Sequence, residues 1–202
     1  DHLQGVISSQ RVLEMRGLNN DLPFYICEFK AAEAVDMERV RRQLVTRLAN
    51  MSIPCLQGRV IQVLEINLYD LSIELLKARE GSSEQGCLWD DLLAIEPEVE
   101  KEQLLETLQN VLGIEEYLIP AIGERLAAAE YDVLFLSGIG EVFPYIRSHN
   151  VLNNLQSTAK FKPTVMFFPG EYRYSLEQGA SLELFGLLHD DKYYRAFNIF
   201  ET

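Results

Sequence analysis

Apolar residues along this chain alternate between two spacings, and each change of spacing marks a change of element. LPFYICEF (22–29), RVIQVLEINL (59–68), DVLFLSG (132–138), PTVMFFPG (163–170) and RAFNIF (195–200) read as strands. DVLFLSG and PTVMFFPG each hold four consecutive apolar residues bounded by Gly or Pro, the pattern of strands covered on both faces in a parallel sheet. RAFNIF is broken by polar residues, which suits an edge. Between the strands the period lengthens. Met37, Val40, Leu44, Val45 and Leu48 fall on one face of a helix, with Asp36 as its expected N-cap. Leu68, Leu71, Leu75 and Leu76 repeat that stripe after a short turn at residues 67–70. SLELFGLL (181–188) is expected to form a short helix.

GSSEQGC (81–87) is the strongest loop signal, and about forty helical residues follow it. Pro97 suits the first turn of a helix, and Leu104, Leu105, Leu108, Val111 and Leu112 then line one side up to Gly113. IEEYLIPAIGERLAAAE continues as a last helix with Pro120 in its early turns. Residues 81–130 therefore read as a helical insertion within one domain spanning 1–202. The alternation of strands and helices predicts an α/β fold: a three-layer sandwich with a mostly parallel central sheet of about five strands.

Charge sharpens this picture. The 202 residues carry a net −13, and residues 80–130 hold 13 acidic against two basic side chains, Lys101 and Arg125, a net of −11. This acidic block is a candidate docking face for a basic partner, while direct binding of nucleic acid is disfavoured because it depends on clustered Lys and Arg. With 48% hydrophobic residues, a chain this long can bury roughly 70% of its unfolded surface without a metal or disulfide. No run of 18 apolar residues suggests a membrane span, and the opening DHLQGVISSQ lacks the basic start and apolar middle of a signal peptide. Cys27, Cys55 and Cys87 are scattered and read as free thiols. His2, His149 and His189 show no ligand spacing, so neither a metal nor a cofactor is expected.

The segment FLSGIGEVFPYIRSHNVLNNLQ (135–156) holds the candidate chemistry. SGIGE after a strand invites a dinucleotide-binding reading, but GxGxxG becomes GIGEVF: Phe143 stands at the third glycine, Pro144 follows, and Glu141 would face a phosphate. A GxxxxGK[ST] loop and a GxSxG elbow are both absent. Ser137 has only His149 nearby in sequence and no local Asp to orient it. The helix that follows carries Arg147, His149, Asn150, Asn153 and Asn154 among Val151, Leu152 and Leu155. Asparagine disfavours helix interiors because its amide competes for backbone hydrogen bonds, so three within five positions point to a task. That task is either a face for a partner or an internal network in which Arg147 ties Glu141 or Glu171. Tyr172 and Tyr174 flank Arg173 in a segment read as a loop, and Tyr193 and Tyr194 precede Arg195. Tyr and Arg favour interfaces. The candidate partner-binding residues are Glu141, Arg147, His149, Asn150, Asn153, Asn154, Glu171, Tyr172 and Arg173; no catalytic residue is assigned.

LEINLYDL (64–71), FLSGIGEVFPYIRSHNVLNNLQ, PTVMFFPGEY (163–172) and LFGLLHDDKYYRAFNI (184–199) together resemble the BrxB proteins of BREX phage-defence systems. The resemblance implies a cytoplasmic, non-catalytic protein acting in an assembly with the alkaline-phosphatase-like protein PglZ, a DNA methyltransferase and a large ATPase, with PglZ as the direct partner. It brings no active-site residues. A reading from another class is a degenerate nucleotide-binding or metal-dependent hydrolytic enzyme in which Glu65, Glu141 and Glu171 converge at the strand ends.

Overall fold

The structure is a computed structural model that describes residues 1–16, 23–82, 86–175, 179–190 and 196–201. Strand β1 (Phe24–Phe29) is the first of five strands that run parallel in the order β2-β3-β4-β1-β7, where β2 is Val63–Asn67, β3 Val133–Ser137, β4 Thr164–Ser175 and β7 Phe197–Asn198. The parallel sheet of about five strands expected from the sequence is therefore present. The continuous apolar runs occupy its interior: every residue of β3 is buried, as are Val165 to Phe168 of β4. Polar-interrupted β7 sits at the edge, as its pattern predicted.

Alternate residues of each strand point to opposite faces, and the core divides accordingly. Tyr25, Cys27, Val133, Phe135, Val165 and Phe167 pack on one side. There they meet α1 (His2–Ile7), α2 (Gln10–Leu13) and α3 (Ala34–Leu48) through Ile7, Val12, Leu44 and Leu48. Phe24, Ile26, Ile66, Leu134, Leu136, Met166 and Phe168 pack on the other. That face is covered by α4 (Leu68–Ala78), α5 (Leu88–Ile95), α6 (Lys101–Leu112), α7 (Ile119–Ala128) and α8 (Ser148–Thr158). The acidic block supplies α5 to α7, and its buried Leu92, Leu112, Leu118 and Ile122 belong to this same core. Among the described residues, no helix is long and apolar enough to cross a membrane.

Two expectations are corrected. SLELFGLL does not form a helix. Its first half lies in strand β5 (Gly179–Leu184), residues 185–187 turn, and β6 (Leu188–Asp190) returns antiparallel. Leu182 and Leu184 are buried on either side of Glu183, a two-residue period that favours a strand. Tyr172 and Arg173 are likewise not in a loop, because β4 continues past the sheet to Ser175 and pairs there with β5. Tyr193, Tyr194 and Arg195 lie outside the described residues.

Candidate docking site beside the strand ends

In an open parallel sheet the ligand crevice lies beyond the carboxyl ends of the strands, where successive connections depart to opposite faces. Here β1 leads to α3 on one face and β3 leads towards α8 on the other, with β4 between them. A crevice of about 140 Å³ does open at this point, lined by residues that include Met37, Glu38, Arg41, Asn67, Gly138 and Glu141. Its chemistry is already committed. Arg41 is only 8% exposed. Its guanidinium donates to both carboxylate oxygens of Glu38 at 2.8–3.1 Å and also pairs with Glu65. Burial of Glu38 works against its charge, but the hydrogen bonds from Arg41 and Arg42 prevail and hold its carboxyl below the usual range.

The glycine turn provides no phosphate cradle. A helix N-terminus binds anions through free N–H groups. At α4 those of Tyr69 and Asp70 donate to Asn67 Oδ1 at 2.9 and 3.3 Å. Gly138, with φ of 78°, closes over this cap: a Cβ there would overlap Asn67 Oδ1 and lie 2.9 Å from the amide nitrogens of Leu68 and Tyr69. Glycine is required by a helix cap pressed against the backbone, not by a ligand. The next helix, α8, begins only at Ser148. The three carboxylates of the enzyme reading have separate partners or surroundings: Glu65 pairs with Arg41, Glu171 accepts from Arg173 at 2.8 Å, and Glu141 lines the crevice. Among the described residues, no group of three His, Cys, Asp or Glu side chains is placed to hold a metal.

A larger opening of about 490 Å³ lies between the acidic block and the start of α8. Arg147, Asn150 and Asn154 line it together with Tyr145, while Gln109, Asn110, Glu115 and Glu116 come from the acidic block. The two faces singled out separately in the sequence thus form one cleft. Its acidic edge is shaped by a π-helical turn, Ile114–Leu118, directly after α6. Arg79 secures this turn: its guanidinium donates to the Val111 carbonyl and stacks 3.9 Å from the Tyr117 ring centroid. Single π turns of this kind often mark functional sites.

The candidate residues distribute unevenly. Asn150 and Asn154, one helical turn apart, are half-buried, whereas Asn153 points outward and is exposed. Asn154 Nδ2 donates to the Asn150 carbonyl at 2.9 Å, so part of its capacity is spent inside the helix. Arg147 is exposed and forms no ion pair with Glu141, Glu171 or any other described residue. His149 is half-buried beside the cleft residues in sequence but does not line the cleft. Glu171 and Arg173 pair with each other on the β4–β5 ribbon, and Arg173 also lies 3.6 Å from Glu183.

Tyr172 is a packing residue. It is buried, its hydroxyl donates to the Ala196 carbonyl at 2.6 Å, and its N–H donates to Glu28 at 2.7 Å. Glu28 also accepts from Asn198 Nδ2 at 3.0 Å, so it ties β1, β4 and β7 together instead of facing the crevice. Tyr145, Gln109 and Asn110 lie within the two segments named from the sequence but are not singled out there. Gln109 and Asn110 lie some forty residues from α8 in the chain, and no local pattern joins them to it.

The comparisons with known proteins agree with one another. Residues 64–199 match the family model described as "BREX protein BrxB". The chain is 30% identical over 204 aligned positions to a Bacillus cereus (strain H3081.97) protein called "BREX protein BrxB", covering 100% of this chain and 95% of that one. An Escherichia coli O9:H4 (strain HS) protein of the same name is 25% identical, over 98% of this chain and 88% of its own length. No solved structure gives a significant match.

Proposed function

This chain belongs to the BrxB family of BREX proteins, and from that premise we propose that it is a non-catalytic docking component of a BREX phage-defence assembly. The observation that carries this reading is the cleft beside α8. It is lined by exposed or half-buried amides and by Arg147, whose hydrogen-bonding groups are open to another molecule. The crevice where an α/β enzyme would bind its ligand is lined by Glu38 and Arg41, already paired with each other and Arg41 with Glu65, and by the capped α4 terminus, which favours adhesion over chemistry.

The proposed partner is the alkaline-phosphatase-like PglZ protein of the same system, with the methyltransferase and the large ATPase reached through the assembly. Arg147, Asn150, Asn153 and Asn154 form the contact surface, and Glu141, which lines the crevice, bounds it through the hydrogen bond that its carbonyl accepts from the Tyr145 hydroxyl. His149 supports it from within α8, Tyr172 serves as a core residue beside the ribbon, and Glu171 and Arg173 present a second, smaller patch on that ribbon. The cytoplasm is the expected compartment. The test is co-expression with the PglZ-type protein. Replacing Asn150, Asn153 and Asn154 together by Ala should cut co-purification about tenfold, the effect of roughly 1.4 kcal/mol. Alanine is the better helix former, so the melting temperature should hold or rise slightly. Unchanged co-purification contradicts the proposed surface.

A further inference from the structure

Next to the polar cleft is an apolar slot of about 150 Å³, walled by Ile73 and Leu76 from α4, Trp89 and Leu93 from α5, and Leu104 and Leu108 from α6. Tyr145 lines both openings. Helix α6 also serves both, turning Leu108 and Leu112 to the slot and Gln109 and Asn110 to the cleft. We propose that slot and cleft form one composite groove for a partner segment bearing a bulky apolar side chain and, a few residues away, a lysine or arginine.

The dimensions support an anchor. Pockets for small-molecule ligands run to about 300–1,000 Å³, so this slot is sized for one side chain. Its rim is left uncovered by the chain: Leu93 is 48% exposed and Tyr69 41%. Interface energy concentrates where an anchor fills such a pocket beside polar groups.

The charge supports the second element. Glu115 and Glu116 outnumber Arg147, the one cation among the cleft-lining residues, and the surrounding block is net −11. A cationic side chain is attracted and an acidic one repelled. Amide side chains donate and accept at once, which matches the alternating groups of a peptide backbone lying between the two. The Lys77 ammonium sits 5.9 Å from the centroid of the Trp89 ring, which lines the slot. This inference rests on the docking reading and adds the chemistry of the partner.

Trp89 is the single tryptophan of the chain and reports on the slot directly. The pentapeptide acetyl-Gly-Leu-Gly-Lys-Gly-amide should shift its emission saturably. Peptides with Ser for Leu or Glu for Lys should bind at least about fivefold more weakly. Leu93→Glu, and Glu115→Gln with Glu116→Gln, should each impose a similar loss with an unchanged circular-dichroism spectrum. No saturable shift, equal binding of the control peptides, or variants that bind like wild type would overturn the groove. If the peptide fails while the triple asparagine variant still loses its PglZ-type partner, the docking reading stands and only this refinement falls.

Discussion

Gly138→Ala separates a structural turn from a ligand cradle. The left-handed φ of 78° at Gly138 costs an L-residue about 1–2 kcal/mol. The new methyl would also collide with Asn67 Oδ1 and press on the Leu68 and Tyr69 nitrogens. Relief requires the Asn67 side chain to leave, and losing an N-cap costs about 1 kcal/mol. The two effects together destabilise by about 2–3 kcal/mol. For a chain of this length each kcal/mol lowers the melting temperature by about 2–4 °C, so a drop of about 4–12 °C is expected. Urea denaturation followed by circular dichroism measures the free energy directly. Gly5→Ala provides a control, because a Cβ there meets nothing within 4 Å. A change below about 0.5 kcal/mol at Gly138, the range of a neutral surface substitution, would refute the claim that this glycine is held by packing against α4.

Further expectations follow from the same contacts. Asp132 is 3% exposed and receives two hydrogen bonds from Arg59 at 2.6 Å and one from the Gln62 N–H at 2.8 Å. Burial opposes its charge, but those donors prevail and hold its carboxyl below the ordinary range, so Asp132→Asn should destabilise by about 2 kcal/mol at pH 7. Because the folded form is the stronger acid, that stabilisation is complete above the unfolded value. The gap between wild type and variant should narrow as the pH falls below about 4. A gap that stays constant to pH 2 would contradict the assignment. Cys27 is fully buried and burial pushes its thiol up to about 12. Ellman's reagent should therefore titrate Cys55 and Cys87 in the native protein, and three fast equivalents would show the sheet to be loose. Calorimetric titration with ATP and Mg²⁺ should give no saturable heat; a clear isotherm would revive the enzyme reading.

The sequence exposed the sheet because its central strands are buried on both faces, and Leu134 to Leu136 and Val165 to Phe168 can only be apolar there. The ribbon after β4 escaped because Leu187 and Leu188 continue the apolar run of Leu182 and Leu184. The break between them lies in backbone angles, positive φ at Phe185 and Gly186, more than in residue type. At the candidate site, the unusual asparagines of α8 could be recognised from helix propensity alone. Their apposition to Glu115 and Glu116 could not, because it depends on how the acidic helices return across the sheet. Tyr172 carries the residue type of an interface, yet its bonds to Ala196 and Glu28 make it part of the core. Composition cannot distinguish those two fates for a tyrosine.

The location of docking is the claim on which the rest depends, and hydrogen–deuterium exchange with and without the PglZ-type partner measures it residue by residue. Protection should appear at residues 109–116 and 145–154, with the crevice at 34–41 and 137–139 exchanging as in the isolated chain. Protection confined to that crevice, or to the opposite face at α1 to α3, would contradict the account.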